Sequence, residues 1–348
     1  MGFATFWFIA IAVLWTGFFV LEGFDLGVGM LHAFVSRDEA GRRASINTIG
    51  PLWDGNEVWL IVAAAGMFAA FPAWYATMFS GLYPAMVLLL AGLIMRGVSF
   101  EFRGKMDSVR WRAAWDVLLT VGSLLVPLLI GIALADLLGG LPIAANQEYT
   151  GSFGDLFSGY SVFTGVTIVL LCLLHGSTFL ALKTTDELRA NARRIARVVG
   201  PVTTLAVIAW VAWTHSVGSE GVFLNIPELV TALGVVGAAG MLAAGRDGWA
   251  FASTTLAMGS AVVSVFVELY PRLMVSSTNP AFDITVHNGA SGTYSLQVMT
   301  IIAAVFLPIV ILYQAWTYHV FRARVSADQY RSGPDTGPVE PPEPLPAS

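Results

Sequence analysis

Two carboxylates lie inside an otherwise apolar run near the N-terminus, at Glu22 and Asp25 within residues 21–29. They are three residues apart, so a helix places both on one face. An acid exposed to lipid costs about 3 kcal/mol, so we expect these side chains to face protein or water. Carboxyls in such a place suit proton transfer, because they can hold and release a proton away from bulk water. The alternative is a structural pair that hydrogen-bonds to a neighbouring helix.

A second polar group stands at the start of the next apolar run, in residues 50–59. Trp53, Asp54, Asn56 and Glu57 crowd this predicted helix start, and Glu101 closes the apolar run that follows. The second predicted helix starts, and the third ends, on the same side of the membrane. We therefore expect these polar side chains to lie at a similar depth.

Together these residues predict a series of carboxylates at increasing depth, from one membrane surface to the midplane. The predicted proton route has four members: Glu101, Asp54, Asp25 and Glu22, with Trp53, Asn56 and Glu57 as supporting side chains. Structural alternatives stay open for three of these acids. Asp54 and Glu57 could only favour the dipole and cap of their helix. Glu101 could only pair with Arg96 or Arg103.

Histidine and cysteine give weaker signals. Of the five histidines, only His175 lies deep in a predicted span, and haem ligation calls for paired ligands on facing helices. We therefore interpret His175 as a hydrogen-bonding residue between helices. The single cysteine, Cys172, cannot form an internal disulfide or a cysteine metal cluster, so we expect a small buried apolar side chain. No catalytic residue and no metal ligand is predicted in this chain.

The composition defines the class of protein that must position these groups. The 348 residues are 56% hydrophobic and 12% charged, and the mean hydropathy is +0.71. Soluble domains carry about 25% charged residues, so a soluble enzyme, a disordered chain and a nucleic-acid binder are excluded. The formal net charge of -5 also argues against a polyanionic partner. The sequence predicts an all-α integral membrane protein.

Nine apolar stretches are long enough to cross about 30 Å of hydrocarbon as helices. They are residues 6–32, 57–76, 79–98, 115–138, 162–182, 199–215, 228–244, 249–270 and 297–321. Between the second and the third, residues 71–77 contain Pro72, Trp74 and Tyr75, which indicate an interfacial turn. The first stretch has no basic segment before it and no cleavage site after it, so we expect it to be kept.

The basic residues predict the orientation. When nine spans alternate, all but one of the 18 lysines and arginines fall on one side of the membrane, the exception being Arg272. By the positive-inside rule the N-terminus is outside and the C-terminus cytoplasmic. Residues 1–324 form the predicted membrane domain. Residues 325–348 hold six of the 16 prolines and predict a disordered, proline-rich cytoplasmic tail.

Seven segments carry a resemblance to a known family: residues 21–30, 50–60, 71–76, 96–103, 175–180, 269–274 and 308–316. They are similar to subunit II of the cytochrome bd quinol oxidases. The most specific segment is Gly-Pro-Leu-Trp-Asp-Gly-Asn-Glu-Val-Trp-Leu at residues 50–60. The resemblance covers the chain to about Phe321, and the proline-rich tail is not part of it.

The resemblance implies a fold of two four-helix bundles plus one peripheral helix, in agreement with nine spans. It implies an electrogenic complex of the bacterial plasma membrane that oxidises quinol at its outer side and reduces oxygen to water. Two haems b and one haem d would belong to the larger subunit I. This chain would then be a non-catalytic, accessory subunit with no firmly bound cofactor, although some family members hold a quinone here. The expected partners are subunit I in a heterodimer, a small single-helix accessory subunit, membrane lipid and quinol.

The resemblance also attributes a cytoplasmic proton route to acids of this subunit, at positions that Glu22, Asp54 and Glu101 match. Other members have Asp where this chain has Glu22 and Glu101. Two other classes of function stay open. A stand-alone proton-coupled transporter would use Glu22 and Asp25, and would need a substrate cavity and broken helices. A purely structural assembly subunit would need no charge at Glu22.

Overall fold

The computed structural model describes residues 2–218 and 224–331, and these ranges are almost entirely helical. The α-helices are α1 Phe3–Val35, α2 Glu39–Asn47, α3 Trp53–Ala70, α4 Pro72–Gly81, α5 Tyr83–Phe102, α6 Val109–Gly139, α7 Gly159–Lys183, α8 Asp186–Gly218, α9 Ile226–Ala243, α10 Asp247–Leu269 and α11 Thr293–Val320. Two short antiparallel strands, β1 Arg272–Met274 and β2 Ile284–Thr285, lie between α10 and α11.

Apolar sequence explains the long helices, and polar residues mark several of their starts. A chain in lipid must satisfy its backbone polar groups internally, which favours helices for apolar runs of this length. The hydroxyls of Ser108 and Ser158 accept hydrogen bonds from the third residues of α6 and α7. Asn225 and Glu228 form a reciprocal capping box at the start of α9. These caps satisfy N–H groups that the first helical turn leaves without partners.

Within the described ranges, eight helices are long and apolar enough to cross a membrane, namely α1 and α5 to α11. They coincide with eight of the nine predicted spans, so a multi-pass helical membrane protein is confirmed. Helix α3 occupies the place of the remaining span, predicted at residues 57–76. Its 18 residues are about 27 Å long, and its polar first turn lowers its hydropathy. The ninth crossing stays a prediction.

The expectation of an interfacial turn at residues 71–77 is wrong. The helices break only at Phe71, and the residues that follow form the separate helix α4. Pro72 takes the first position of α4, where its missing N–H costs nothing and its fixed φ suits a helix. Trp74, expected at the membrane interface, is fully buried.

Helices α1 and α7 pack against each other, and each also packs on several further helices. A Cβ atom on Gly27 of α1 would lie 2.0 Å from the carbonyl oxygen of Cys172 and 2.8 Å from the Cα of Gly176 in α7. Glycine at position 27 therefore allows the close approach that the spacing of Gly23 and Gly27 predicts. Helix α11 packs mainly on α1 and α3 and is mostly exposed, as a peripheral helix would be. The grouping into two four-helix bundles stays a prediction.

Two loops pair at one end of the molecule. The Leu141 N–H donates to the carbonyl of Val275 at 3.0 Å, and the Ser276 hydroxyl donates to the carbonyl of Ile143 at 2.9 Å. The loop between α6 and α7 is thereby joined to the loop that carries β1. These contacts hold together the ends of helices that are distant in the sequence.

One end of the molecule holds Arg42, Arg103, Arg189 and Arg193 in ion pairs, and we call it the arginine-rich end. It also holds α2 and the first residues of the predicted tail. The Val325 N–H donates to the carbonyl of Lys183 at 2.9 Å, and Ala327–Tyr330 forms a short 3-10 helix. The segment predicted as a tail therefore begins, at residues 325–331, with ordered structure docked on the helices. Its remaining residues, 332–348, lie outside the described part of the chain.

Candidate functional site

Helix α1 places Glu22 and Asp25 on one face, and neither residue is exposed. Their carboxyl groups adjoin each other. From α3, the Asn56 side-chain amide donates to Asp25 Oδ2 at 2.7 Å and to the carbonyl of Leu21 at 3.2 Å. The two acids therefore face protein, as the cost of an acid in lipid requires.

Helix α5 contributes Arg96, whose side chain is fully buried between carboxylates. Its Nη1 forms an ion pair with Glu22 and donates to Glu57 Oε2 of α3 at 3.0 Å. Arg96 thus pairs with two carboxylates, Glu22 and the partly exposed Glu57, and the carboxylate of Asp25 adjoins that of Glu22. We call these residues together with Asn56 the buried acid cluster.

Aromatic and polar side chains close the cluster. The rings of Trp53 and Phe100 stack with centroids 4.9 Å apart, and the Arg96 guanidinium lies 5.4 Å from the Phe100 centroid. From α11, Gln314 Nε2 and the Tyr318 hydroxyl donate to Asn56 Oδ1 at 2.7 and 2.9 Å. Asn56 therefore links α11 to Asp25.

The outer two members of the predicted route, Asp54 and Glu101, are exposed on the surface of the chain. Asn56 and Glu57 belong to the cluster, and the ring of Trp53 lies beside Arg96. The alternative that Glu101 pairs with Arg96 or Arg103 is wrong for the described residues. Arg96 pairs with carboxylates of the cluster, and Arg103 pairs with Glu39 and Asp116 instead.

A second ion network lies at the arginine-rich end, centred on Asp116 of α6. Its carboxylate accepts from Arg103 at 2.6 Å and lies 3.1 Å from His32 Nε2 and 3.3 Å from Arg42 Nη1. Arg103 also donates to both oxygens of Glu39. Burial opposes the charged form of Arg103, but the hydrogen bonds and charges of its two acid partners outweigh burial and raise its pKa above the ordinary value. This network fixes α2 against the ends of α1, α5 and α6.

The two fully buried histidines, His32 and His175, do not present a free ring nitrogen to a haem. His175 Nδ1 lies 2.8 Å from the Thr254 hydroxyl, and its Nε2 lies 3.2 Å from the carbonyl of Val20. The two ring nitrogens of His32 face Gly29 O and Asp116. Both of these buried histidines thus have protein partners on each nitrogen, as the interpretation of His175 requires. Cys172 is buried, as expected.

Sequence reasoning missed three members of the site and one further acid. Arg96 could have been assigned to the site from the sequence, because an arginine inside an apolar run needs a buried partner. Gln314 and Tyr318 belong to another helix more than 250 residues away, and nothing local marks them. Asp136 lies in the fourth predicted span, is buried, and forms a hydrogen bond with Ser161 of α7.

Known proteins resemble this chain over most of its length. Residues 3–321 match the family described as cytochrome bd terminal oxidase subunit II. Cytochrome bd ubiquinol oxidase subunit 2 of Bacillus subtilis (strain 168) is 45% identical over 326 residues, which cover 92% of this chain and 96% of that protein. Cytochrome bd-I ubiquinol oxidase subunit 2 of Escherichia coli (strain K12) is 36% identical over 359 residues, covering 92% and 95%.

A solved structure has the same fold. A chain of the bd oxidase from Geobacillus thermodenitrificans superposes with a TM-score of 0.68 at 18% identity, covering 92% of this chain and 99% of that one. The stand-alone transporter alternative finds no support in these matches. The family match and the two relatives together show that this chain belongs to the cytochrome bd terminal oxidase subunit II family.

Proposed function

We propose that this chain is the accessory subunit II of a membrane quinol oxidase and delivers cytoplasmic protons toward the oxygen-reducing centre of its partner. The names of its relatives, ubiquinol oxidases, support the substrate class. The haems, two haem b and one haem d, would lie in subunit I, because both buried histidines described above are engaged by protein. Quinol oxidation would then also take place outside this chain.

The observation that carries the proton role is the charge count of the buried acid cluster. Its three carboxylates face one guanidinium, so full ionisation would leave two negative charges uncompensated at a desolvated site. An unpaired charge in such a place is costly, so the cluster holds at least one proton on its carboxyls. A group that binds a proton without a compensating cation is what a relay step requires.

Within the cluster, each side chain has a distinct part in holding that proton. Glu22 and Asp25 adjoin each other and share it, and Arg96 stabilises whichever carboxylate is left ionised. Asn56 donates to Asp25 and accepts from Gln314 and Tyr318, so it holds the Asp25 carboxylate in place.

In this proposal Asp54 and Glu101 form the cytoplasmic entrance of the proton route. Both are exposed on this chain and belong to the ends of α3 and α5 that face the arginine-rich side. Large apolar side chains of α3, α5 and α11 are exposed nearby, among them Ile61, Ile94 and Leu312. Exposed apolar area of this extent fits lipid and a helical partner. We assign subunit I to this face, with a small single-helix subunit and quinone as further candidate occupants.

The test replaces each acid by the amide of the same shape, which keeps hydrogen bonds but cannot change charge. Glu22→Gln and Asp54→Asn are expected to assemble with normal haem content and to lower quinol oxidase turnover at least about tenfold, or about 1.4 kcal/mol of barrier. Glu22→Asp keeps the carboxylate and costs less. Glu101→Gln also costs less, because water can replace an acid at the aqueous mouth. Oxygen consumption per haem d and proton uptake in a single turnover measure the effect.

Glu148→Gln is the matched control, because Glu148 is exposed in the loop at the opposite end, and its turnover is expected to equal that of the wild type. A Glu22→Gln complex with wild-type turnover and full proton uptake would make Glu22 structural. That result would favour the purely structural subunit and place the proton route within subunit I.

A further inference from the structure

Three helix ends meet at the end of the molecule opposite the arginine-rich side and bring together one imidazole and two carboxylates. His215 lies near the end of α8, Glu228 in the first turn of α9 and Glu268 near the end of α10. One ligand atom from each of the three lies within 4.8 Å of the other two. His215 Nδ1 is 3.0 Å from Glu228 Oε2. We call these three residues the helix-end triad.

The carboxylate of Glu228 has an unused oxygen. The residue is fully buried, and its Oε2 accepts the backbone N–H of Asn225 at 2.8 Å. Its Oε1 is buried and has no hydrogen-bond partner within residues 2–218 and 224–331. A buried carboxylate oxygen without a partner carries a desolvation cost, and the cost disappears if a cation binds there.

Among the residues that the structure describes, the neighbouring polar groups do not supply that cation. The Asn225 amide donates to Glu268 Oε1 at 2.5 Å, which is a neutral contact. The guanidinium of Arg272 donates to the main-chain carbonyls of Glu268 and Leu269, at 3.2 and 3.5 Å. Its charge is therefore directed at the backbone. Two carboxylates beside one imidazole leave an excess of negative charge at the triad in either protonation state of the imidazole.

We propose that the helix-end triad is a binding site for a divalent transition metal ion, with zinc as the best fit. Imidazole nitrogen together with carboxylate oxygen is a donor set that Zn²⁺ accepts, whereas Mg²⁺ and Ca²⁺ prefer oxygen alone. Ligand bonds of about 2.0–2.1 Å in a tetrahedron put ligand atoms about 3.3 Å apart. The 3.0 Å separation of His215 Nδ1 and Glu228 Oε2 is already close to this value. A carboxylate oxygen of Glu268 lies within 4.8 Å of a ligand atom of each and would be the third protein ligand.

Three protein ligands leave the fourth tetrahedral position to water. The bound ion would join the ends of α8, α9 and α10, of which Asn225 links only the last two. This site is independent of the proton route, because the buried acid cluster lies on α1, α3 and α5. A failure of one proposal therefore leaves the other unaffected.

The experiment measures zinc on the intact, haem-loaded complex. The complex is stripped with EDTA, incubated with Zn²⁺, freed of loosely bound metal and analysed for zinc by elemental analysis. We expect one more equivalent of zinc on the wild type than on His215→Ala and Glu268→Gln. Glu268→Gln keeps an oxygen that can accept from Asn225. It therefore removes the negative charge while preserving this local hydrogen bond. The matched control is His287→Ala, an exposed histidine of the loop between β2 and α11, which is expected to keep the full equivalent.

X-ray absorption at the zinc edge of the loaded wild type provides a measurement that does not depend on how the variants fold. A shell of nitrogen and oxygen at about 2.0–2.1 Å, including one imidazole, is expected. Equal zinc content in the wild type and Glu268→Gln would overturn the proposal, as would a zinc spectrum without imidazole scattering.

Discussion

Arg96 carries the positive charge of the buried acid cluster, and its removal would leave buried carboxylates without a counter-charge. Deleting one partner of a buried ion pair costs about 3–5 kcal/mol. We therefore expect Arg96→Met to lower the thermal unfolding midpoint and the yield of the assembled complex. Arg110→Met, at an exposed position, is the matched control and is expected to change neither.

The double variant Arg96→Met, Glu22→Gln separates charge from packing. Since the amide at position 22 needs no counter-charge, this variant is expected to regain part of the lost stability while turnover stays low. An equal loss of stability in the single and the double variant would show that Arg96 acts through packing alone.

His175 gives a second prediction at this scale. Because both ring nitrogens are bonded to protein, His175→Ala is expected to leave the haem absorption spectrum of the purified complex nearly unchanged. The cost falls on packing instead, since the ring stacks on Phe251 with centroids 4.8 Å apart. Thr254→Val removes the Nδ1 contact and is expected to lower stability in the same direction. Loss of a haem band in His175→Ala alone would make His175 a ligand.

The residues of the site differ in how far sequence could predict them. Glu22 and Asp25 were recognisable because an acid inside an apolar run is costly unless protein or water surrounds it. The structure buries both. Asp54 and Glu101 were expected toward the membrane surface, whereas the direction in which each helix turns them relative to the cluster depends on tertiary packing and was not predictable. Gln314 reaches Asn56 from α11, and such a contact between distant segments has no local pattern.

At the scale of elements, the crossing of α1 and α7 depends on Gly27. A Cβ at this position would meet main-chain atoms of Cys172 and Gly176 at 2.0 and 2.8 Å, and main chain cannot move aside as a flexible side chain can. Gly27→Ala is therefore expected to push the helices apart and cost about 1–3 kcal/mol, seen as a lower thermal unfolding midpoint.

Gly240→Ala in α9 is the matched control, because a Cβ there meets nothing within 4 Å. In a helix this change removes backbone freedom from the unfolded chain and gains roughly 0.5–1 kcal/mol. The two variants are expected to shift the midpoint in opposite directions. A neutral Gly27→Ala would mean that α1 and α7 cross elsewhere.

The long helices were predictable, whereas the short ones were not. Hydropathy identifies a span because lipid demands apolar residues along its whole length. Helix α4 begins with a proline and contains aromatic residues that equally suit a turn, so local sequence did not decide between a helix and a turn. Helix α2 is polar and short, and its contacts to Asp116 through Glu39 and Arg103 depend on the assembled fold.

At the scale of the molecule, the two ends differ in chemistry. One end holds the arginine networks, including Arg189 and Arg193 on Asp247 at 2.7 and 2.6 Å. The opposite end holds the paired loops and the helix-end triad. By the positive-inside rule the arginine-rich end is expected on the cytoplasmic side, and this orientation stays a prediction. A proton route that starts from this end would draw on cytoplasmic water.

Cysteine labelling tests both the orientation and the number of crossings. Gly2→Cys, Thr150→Cys and Ala323→Cys place single thiols at exposed positions, and the native Cys172 is buried and serves as the unlabelled background. Nine crossings put four helices between positions 2 and 150 and five between 150 and 323. We therefore expect a membrane-impermeant reagent to label positions 2 and 150 from outside and position 323 only from the cytoplasmic side. If α3 did not cross, positions 2 and 150 would be labelled from opposite sides, and Asn56 and Glu57 of the buried acid cluster would lie on a helix that does not span the membrane. The labelling of Gly2→Cys against Thr150→Cys thus decides whether Glu57 and Asn56 can take part in a route across the membrane.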